Sequence, residues 1–226
     1  MKKLFGILSV CAAALAMSAT AYGDEILNGG FEAGTGTDAN DWIEIATSPN
    51  GTATRSNLDP FAGDFHAYMQ FDNSGSAAGA NYLVQQVRPV GSIDNTLNYD
   101  LRFFARADST DFTGIQMFVN LQWLDQDASD GGGVKGQHLL SMISNGAELG
   151  NTIDTTYKEF TLLNIDVPDG ADSFQISFEL PAGAVADISN GLYVDNVSLT
   201  QAIPEPSAAL LLGFGLVGLV ARRRRR

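Results

Sequence analysis

Cysteine is almost missing: the sole one among the 226 residues is Cys11. It sits in a stretch that reads as a secretory signal peptide over residues 1–21. Met1-Lys2-Lys3 is a basic head, Leu4 to Ala16 an apolar run, and Ala19-Thr20-Ala21 a small-residue cleavage site, with cleavage after Gly23 as the alternative. The apolar run is too short for a spanning helix. Leu8-Ser9-Val10-Cys11 resembles a lipoprotein box, but Val10 is bulky where a small residue is needed and the apolar run continues beyond Cys11. Removing the signal leaves no thiol, which excludes disulfides, a thiolate nucleophile and a thiolate metal ligand. The core must hold without staples, which a domain of this size can do.

Basic residues are scarce between the ends. From Asp24 to Ala202, six stand against twenty-five acidic residues, a net of −19. Such a surface repels phosphates and anionic membranes, so nucleic acid is not a partner. It suits calcium or a neutral ligand such as a glycan, or it serves only solubility. The two histidines, His66 and His138, have no neighbours at metal-ligand spacing. No Gly-x-Ser-x-Gly elbow, His-Glu-x-x-His or phosphate loop is present. The Asp125 to Gly131 stretch looks superficially like an EF-hand, but Asp130 and Gly136 stand where that loop needs glycine and glutamate. No catalytic residue is assigned and the expectation is a non-enzyme, although so many acids do not exclude a glycosidase pair by counting.

Long helical periodicity is also absent. Period-two alternation takes its place: Leu97, Tyr99, Leu101, Phe103 and Ala105; then Ile115, Met117, Val119, Leu121 and Trp123; then Phe174, Ile176, Phe178 and Leu180. Each run buries one face and wets the other, which predicts an all-β antiparallel sandwich. A helical turn is expected near Leu139 to Ile143. Trp123 is expected in the core. If the first two of these strands pair, Arg102, Phe104, Arg106, Gln116, Phe118, Asn120 and Gln122 share one wet face. An aromatic ring beside planar polar groups is what a sugar site requires; the alternative is an ordinary outer face, or one covered by the loop from Asp125 to Gly136.

The C-terminal 24 residues have a different order of parts. Pro204-Glu205-Pro206 breaks the chain, an uncharged apolar stretch follows at 207–221, and Arg222, Arg223, Arg224, Arg225 and Arg226 end it. Prolines stop a helix from extending upstream. The apolar stretch is short, but snorkelling arginine stems lengthen it into a transmembrane helix. The arginine stop keeps its own side cytoplasmic and puts the domain outside. This three-part tail resembles the PEP-CTERM sorting signal, with Ile203 where valine is commoner. The N-terminal signal segment implies export through the Sec machinery and signal peptidase, and the resemblance implies recognition by an exosortase in the inner membrane. Cleavage near Pro204-Glu205-Pro206 would follow, with transfer to the cell surface or extracellular matrix of a Gram-negative-type bacterium.

The region 22–202 resembles the galactose-binding-like jelly roll that includes carbohydrate-binding modules. The residues that carry this are Ile26-Leu27-Asn28-Gly29-Gly30-Phe31-Glu32 with Trp42, Val84-Gln85-Gln86-Val87, Leu101 to Ala107, and Leu192-Tyr193-Val194-Asp195-Asn196-Val197. The resemblance implies a structural calcium ion held by Glu32 and Asp195, and the 61–64 loop, with Asp64, is where the remaining ligands are expected. The alternative is that Glu32 and Asp195 hydrogen-bond the chain ends together. The expected function is an exported surface or matrix protein that holds extracellular polysaccharide. The alternatives are a secreted polysaccharide-acting enzyme and a permanently anchored or purely structural surface protein.

Overall fold

Alternating stretches become strands because each can bury one face against a second sheet. The structure is a computed structural model and describes residues 23–47, 51–71, 80–126, 132–182 and 189–202. The signal segment, the sorting motif Pro204-Glu205-Pro206, the apolar stretch 207–221, Arg222 to Arg226 and residues 127–131 of the Asp125 loop lie outside the described residues. Among the described residues, no helix is long and apolar enough to cross a membrane.

The elements are β1 (Gly34–Thr35), β2 (Asp38–Ala39), β3 (Ile43–Ala46), β4 (Gly51–Ser56), β5 (His66–Phe71), β6 (Ala80–Val87), β7 (Asn98–Ala107), β8 (Phe118–Leu124), β9 (Val134–Ser141), α1 (Gly146–Leu149), β10 (Lys158–Asp166), β11 (Ser173–Ala182) and β12 (Asn190–Gln201). One five-stranded sheet has the order β10-β7-β12-β5-β4 and the other β3-β6-β11-β8-β9; β1 and β2 form a small hairpin. Every pairing is antiparallel. This is the all-β jelly-roll sandwich that the alternation and the resemblance pointed to. Of the helical turn expected at Leu139 to Ile143, residues 139–141 are strand, with Leu139 paired to Asn120, residues 142–143 form a non-helical turn, and the short helix α1 follows at Gly146–Leu149.

The core lies between the two sheets. Leu101, Phe103 and Ala105 of β7 face Val119, Leu121 and Trp123 of β8 and Phe174, Ile176 and Phe178 of β11, all fully or almost fully buried. Phe103 and Phe178 meet edge-on across the sheets, with ring centroids 4.9 Å apart. Burying each such side chain contributes about 1.5–3 kcal/mol. Trp123 is wholly buried between Tyr99 and Phe174.

The two chain ends of the domain are stitched together. Asp24 accepts hydrogen bonds from the amides of Ile26 and Leu199, and the Glu25 amide donates to the Leu199 carbonyl. The sandwich therefore begins at Asp24 and closes with β12 at Gln201.

Candidate functional site

The wet residues of β7 and β8 do not come together. β7 pairs with β10 and β12, whereas β8 pairs with β11 and β9, so the two strands belong to opposite sheets. Arg102, Phe104 and Arg106 face outward from one sheet; Asn120 and Gln122 face outward from the other, with Phe118 beside them and Gln116 just before the strand. The reason lies in the connection. Residues 108–117 separate the strands, too many for a tight hairpin, and the chain crosses from one sheet to the other.

On the first sheet the expected residues are used by the fold itself. The loop from Asn57 to Phe65 lies over them as a strap. Phe61 stacks on Phe104, with centroids 3.8 Å apart and planes at 11°, and tilts against Tyr157. Arg106 pairs with Asp59 at 3.0 Å and lies 3.5 Å above the Tyr193 ring. The Tyr193 and Tyr68 hydroxyls both donate to the Asp108 carboxylate. His66 is wholly buried beneath these rings, and neither of its ring nitrogens has a hydrogen-bond partner. Burial, and then the Arg106 charge, push its pKa down to about 4, so it packs as a neutral ring. Arg102 makes only long pairs, 3.8 Å to Asp100 and 3.7 Å to Glu159.

The second sheet presents a different surface. Phe174, Ile176 and Phe178 point into the core, so Gln175, Ser177 and Glu179 of β11 point out. Register places Gln175, Gln122 and Gln137 in one row, Gln85, Ser177 and Asn120 in the next, and Leu83, Glu179 and Phe118 in a third. Gln137 donates to Asn120 at 2.9 Å, Asn120 to Glu179 at 3.2 Å and Ser177 to Glu179 at 2.8 Å. Ser177 is 1% exposed and Asn120 8%, although both face away from the core. The result is a sheltered, hydrogen-bonded platform of planar amides with one phenyl ring beside it. No cation lies in these three rows. Asp125, at the end of this sheet, accepts from the Gly133 amide and pairs with Lys135 at 2.9 Å, so it closes the β8–β9 turn. His138 is half-buried on β9, where burial lowers its pKa.

The motif at the chain ends has a physical basis. Gly29 passes so close to the Val197 carbonyl that any side chain would collide with it, and the Val197 amide donates to the Gly29 carbonyl. A register shift in β12 between Asp195 and Ser198 turns Asp195 aside, and Asn196 adopts a left-handed backbone with φ 48°. Asp195 is 0% exposed and accepts from the amides of Ala62 and Asn196. Burial pushes its pKa up to about 6, and the nearby Glu32 charge adds to this. Glu32 accepts from the amides of Asp64 and Phe65. Gly63, at φ 65°, leaves the space that the Glu32 carboxylate fills. Asp64 itself is exposed and reaches Glu32 through its backbone amide.

Glu32, Asp195 and Asp64 thus share one corner, but among the described residues no three carboxylates or histidines gather as a metal site. Calcium takes six to eight oxygens. The nearby carbonyls are already engaged by Arg55, a residue the sequence reading passed over. Arg55 is 5% exposed and donates to Phe31 at 2.6 Å, Glu32 at 2.7 Å and Gly36 at 3.3 Å. Its guanidinium also lies 3.1 Å from the Phe65 ring centroid. In this corner the Glu32 and Asp195 carboxylates accept backbone amides, and Arg55 holds the Phe31, Glu32 and Gly36 carbonyls.

The model of the PEP-CTERM protein-sorting motif matches residues 202–226. It marks an exported, cell-surface-directed protein processed by an exosortase. A carbohydrate-binding module from a study of promiscuous specificity in the β-sandwich superfamily aligns at TM-score 0.50 and 14% identity, covering 79% of this chain and 63% of that one. The family 11 module of a Clostridium thermocellum cellulosomal cellulase aligns at TM-score 0.49 and 13% identity, covering 83% and 99%. TmCBM61, solved with β-1,4-galactotriose, aligns at TM-score 0.46 and 13% identity, covering 79% and 99%. At such identities the likeness concerns the fold alone. No curated protein matches the sequence. This chain is an antiparallel β-sandwich, similar in fold to carbohydrate-binding modules, that carries a PEP-CTERM protein-sorting motif at residues 202–226.

Proposed function

We propose that the chain is a matrix or cell-surface protein that binds a neutral polysaccharide on the outer face of the β3-β6-β11-β8-β9 sheet, without acting on it as an enzyme. The observation that carries this is the sheltered row of amides around Asn120 and Gln122 with Phe118 beside them. Planar amides donate and accept in the plane where sugar hydroxyls lie, and a phenyl ring offers the apolar contact that a pyranose face prefers. A strongly acidic surface favours a neutral polymer over a polyanion.

The test is electrophoresis of the protein through gels that contain neutral glucans, galactans or xylans. One of them is expected to retard it. Gln122→Ala should weaken the retardation roughly tenfold, the loss of about 1.4 kcal/mol, with an unchanged melting temperature. Equal mobility in every gel sinks the reading. New reducing ends in the polymer would move the protein to the enzyme class.

A further inference from the structure

The opposite sheet carries a recess, away from the amide platform. It opens beside the edge strand β4 and has a volume of about 570 Å³. The turn of the β1–β2 hairpin forms one wall, β4 the floor and the start of the strap the other wall. Its exposed lining is mainly apolar, edged by polar groups. Thr37 and Thr52 supply hydroxyls and Asn57 an amide, while the Thr54 hydroxyl donates to the Thr37 and Arg55 carbonyls and Ser56 accepts from the Leu58 amide. Leu58, 68% exposed, and the Tyr68 ring supply apolar surface. The one charged lining residue is Arg55, which is committed to the Phe31, Glu32 and Gly36 carbonyls. A lining of hydroxyls, one amide and apolar patches, with no charge left to offer, fits a neutral hydroxylated ring better than an anion or a cation.

Position gives the recess its consequence. The amide platform faces outward from β3-β6-β11-β8-β9, while the recess lies on the outer margin of β10-β7-β12-β5-β4. The two sheets are packed face to face, about 10 Å apart. One short glycan segment therefore cannot occupy both.

We propose that the recess at Thr52, Asn57 and Leu58 is a second site for a neutral glycosyl unit, so that one copy of the protein bridges two polysaccharide chains. This rests on the polysaccharide reading above. Two sites on one rigid body raise avidity for a network without any new contact.

The experiment is calorimetric titration of the full chain with three neutral hexasaccharides, β-1,4-linked glucose, galactose and xylose, at millimolar concentration. The expected result is two equivalents bound per chain for at least one of them. Gln122→Ala then weakens one equivalent roughly tenfold and leaves the other unchanged, whereas Leu58→Arg removes the recess equivalent alone. Thr37→Lys, from the facing turn, should repeat the Leu58→Arg result should that variant fold poorly. Polymer of the same linkage should turn turbid with the wild type and stay clear with either single variant. One equivalent that is weakened in Gln122→Ala and untouched by Leu58→Arg and Thr37→Lys overturns the second site and leaves the platform standing. One equivalent lost only in the recess variants supports the recess and overturns the platform. Binding of none of the three overturns both.

Discussion

His66 and Asp195 are both buried, and their linkage to pH has opposite signs. His66 is held neutral with a pKa of about 4, against about 6.5 in the unfolded chain. The folded state then binds fewer protons over that window, so its contribution is complete above pH 6.5 and is lost as pH falls through 4. Asp195 is raised to about 6 from 3.8. The folded state holds this proton more tightly, so its contribution is complete below pH 3.8 and is lost as pH rises through 6. Each shift is worth on the order of 3 kcal/mol, and across pH 4–6 the two offset each other. His66→Phe keeps the ring contacts but removes the titration. Its melting temperature should fall, relative to wild type, as pH rises from 4 to 6. Asp195→Asn should show the opposite slope relative to wild type. Thermal melts of the three proteins across this range check the assignment; three parallel curves would refute it. The sequence showed both residues, and the resemblance placed Asp195 with Glu32 and the 61–64 loop, but nothing in it showed the neighbourhood of His66. His66 was legible as part of a strand, but not as the ring beneath Tyr193.

At the scale of elements, the corner made by the opening loop, β4 and the bulge of β12 depends on Arg55. Its guanidinium satisfies three carbonyls and covers the Phe65 ring. Arg55→Met removes the donors and leaves buried carbonyls unpaired, a cost of about 1–3 kcal/mol for each group left without a partner. Urea titration should show a loss of at least about 3 kcal/mol, whereas a surface change such as Arg102→Met should cost less than about 1 kcal/mol. If Arg55 is the cation of this corner, wild-type stability is the same in calcium and in EDTA. A calcium-dependent rise, larger at pH 7 than at pH 5 because Asp195 must be ionised to bind, would restore the metal that the resemblance implied. Nothing in Gly51-Thr52-Ala53-Thr54-Arg55-Ser56 announces a buried arginine. Alternation places Arg55 on the inner face, where the default expectation is an apolar side chain.

For the whole molecule, the decisive feature is where the sandwich ends. β12 stops at Gln201, and the sorting motif is matched from residue 202. The sandwich therefore closes before the motif. Loss of residues beyond the Pro204-Glu205-Pro206 region should leave the melting temperature of the sandwich unchanged. In the native host, intact mass spectrometry should find a mature protein that lacks this tail only in cells with a functional exosortase. A mass that retains Arg222 to Arg226 in both strains would mean a permanent anchor and would contradict transit.

The sequence by itself determined the surface-directed sorting and the fold class. A sorting motif is linear: its order and composition carry the information, with no need for residues distant in the chain. Strand alternation is linear too, so Phe103, Val119 and Phe178 were legible as core and Asn120 as wet. Period two states which face a residue occupies and not which strand lies beside it. The tertiary structure alone decided that β7 and β8 sit in opposite sheets. That separation divided one expected sugar site into two surfaces, placed Gln137, Gln175 and Glu179 beside Asn120, and folded the strap over Phe104 and Arg106. Such choices depend on closing long loops and filling one shared core, and those are properties of the chain as a whole.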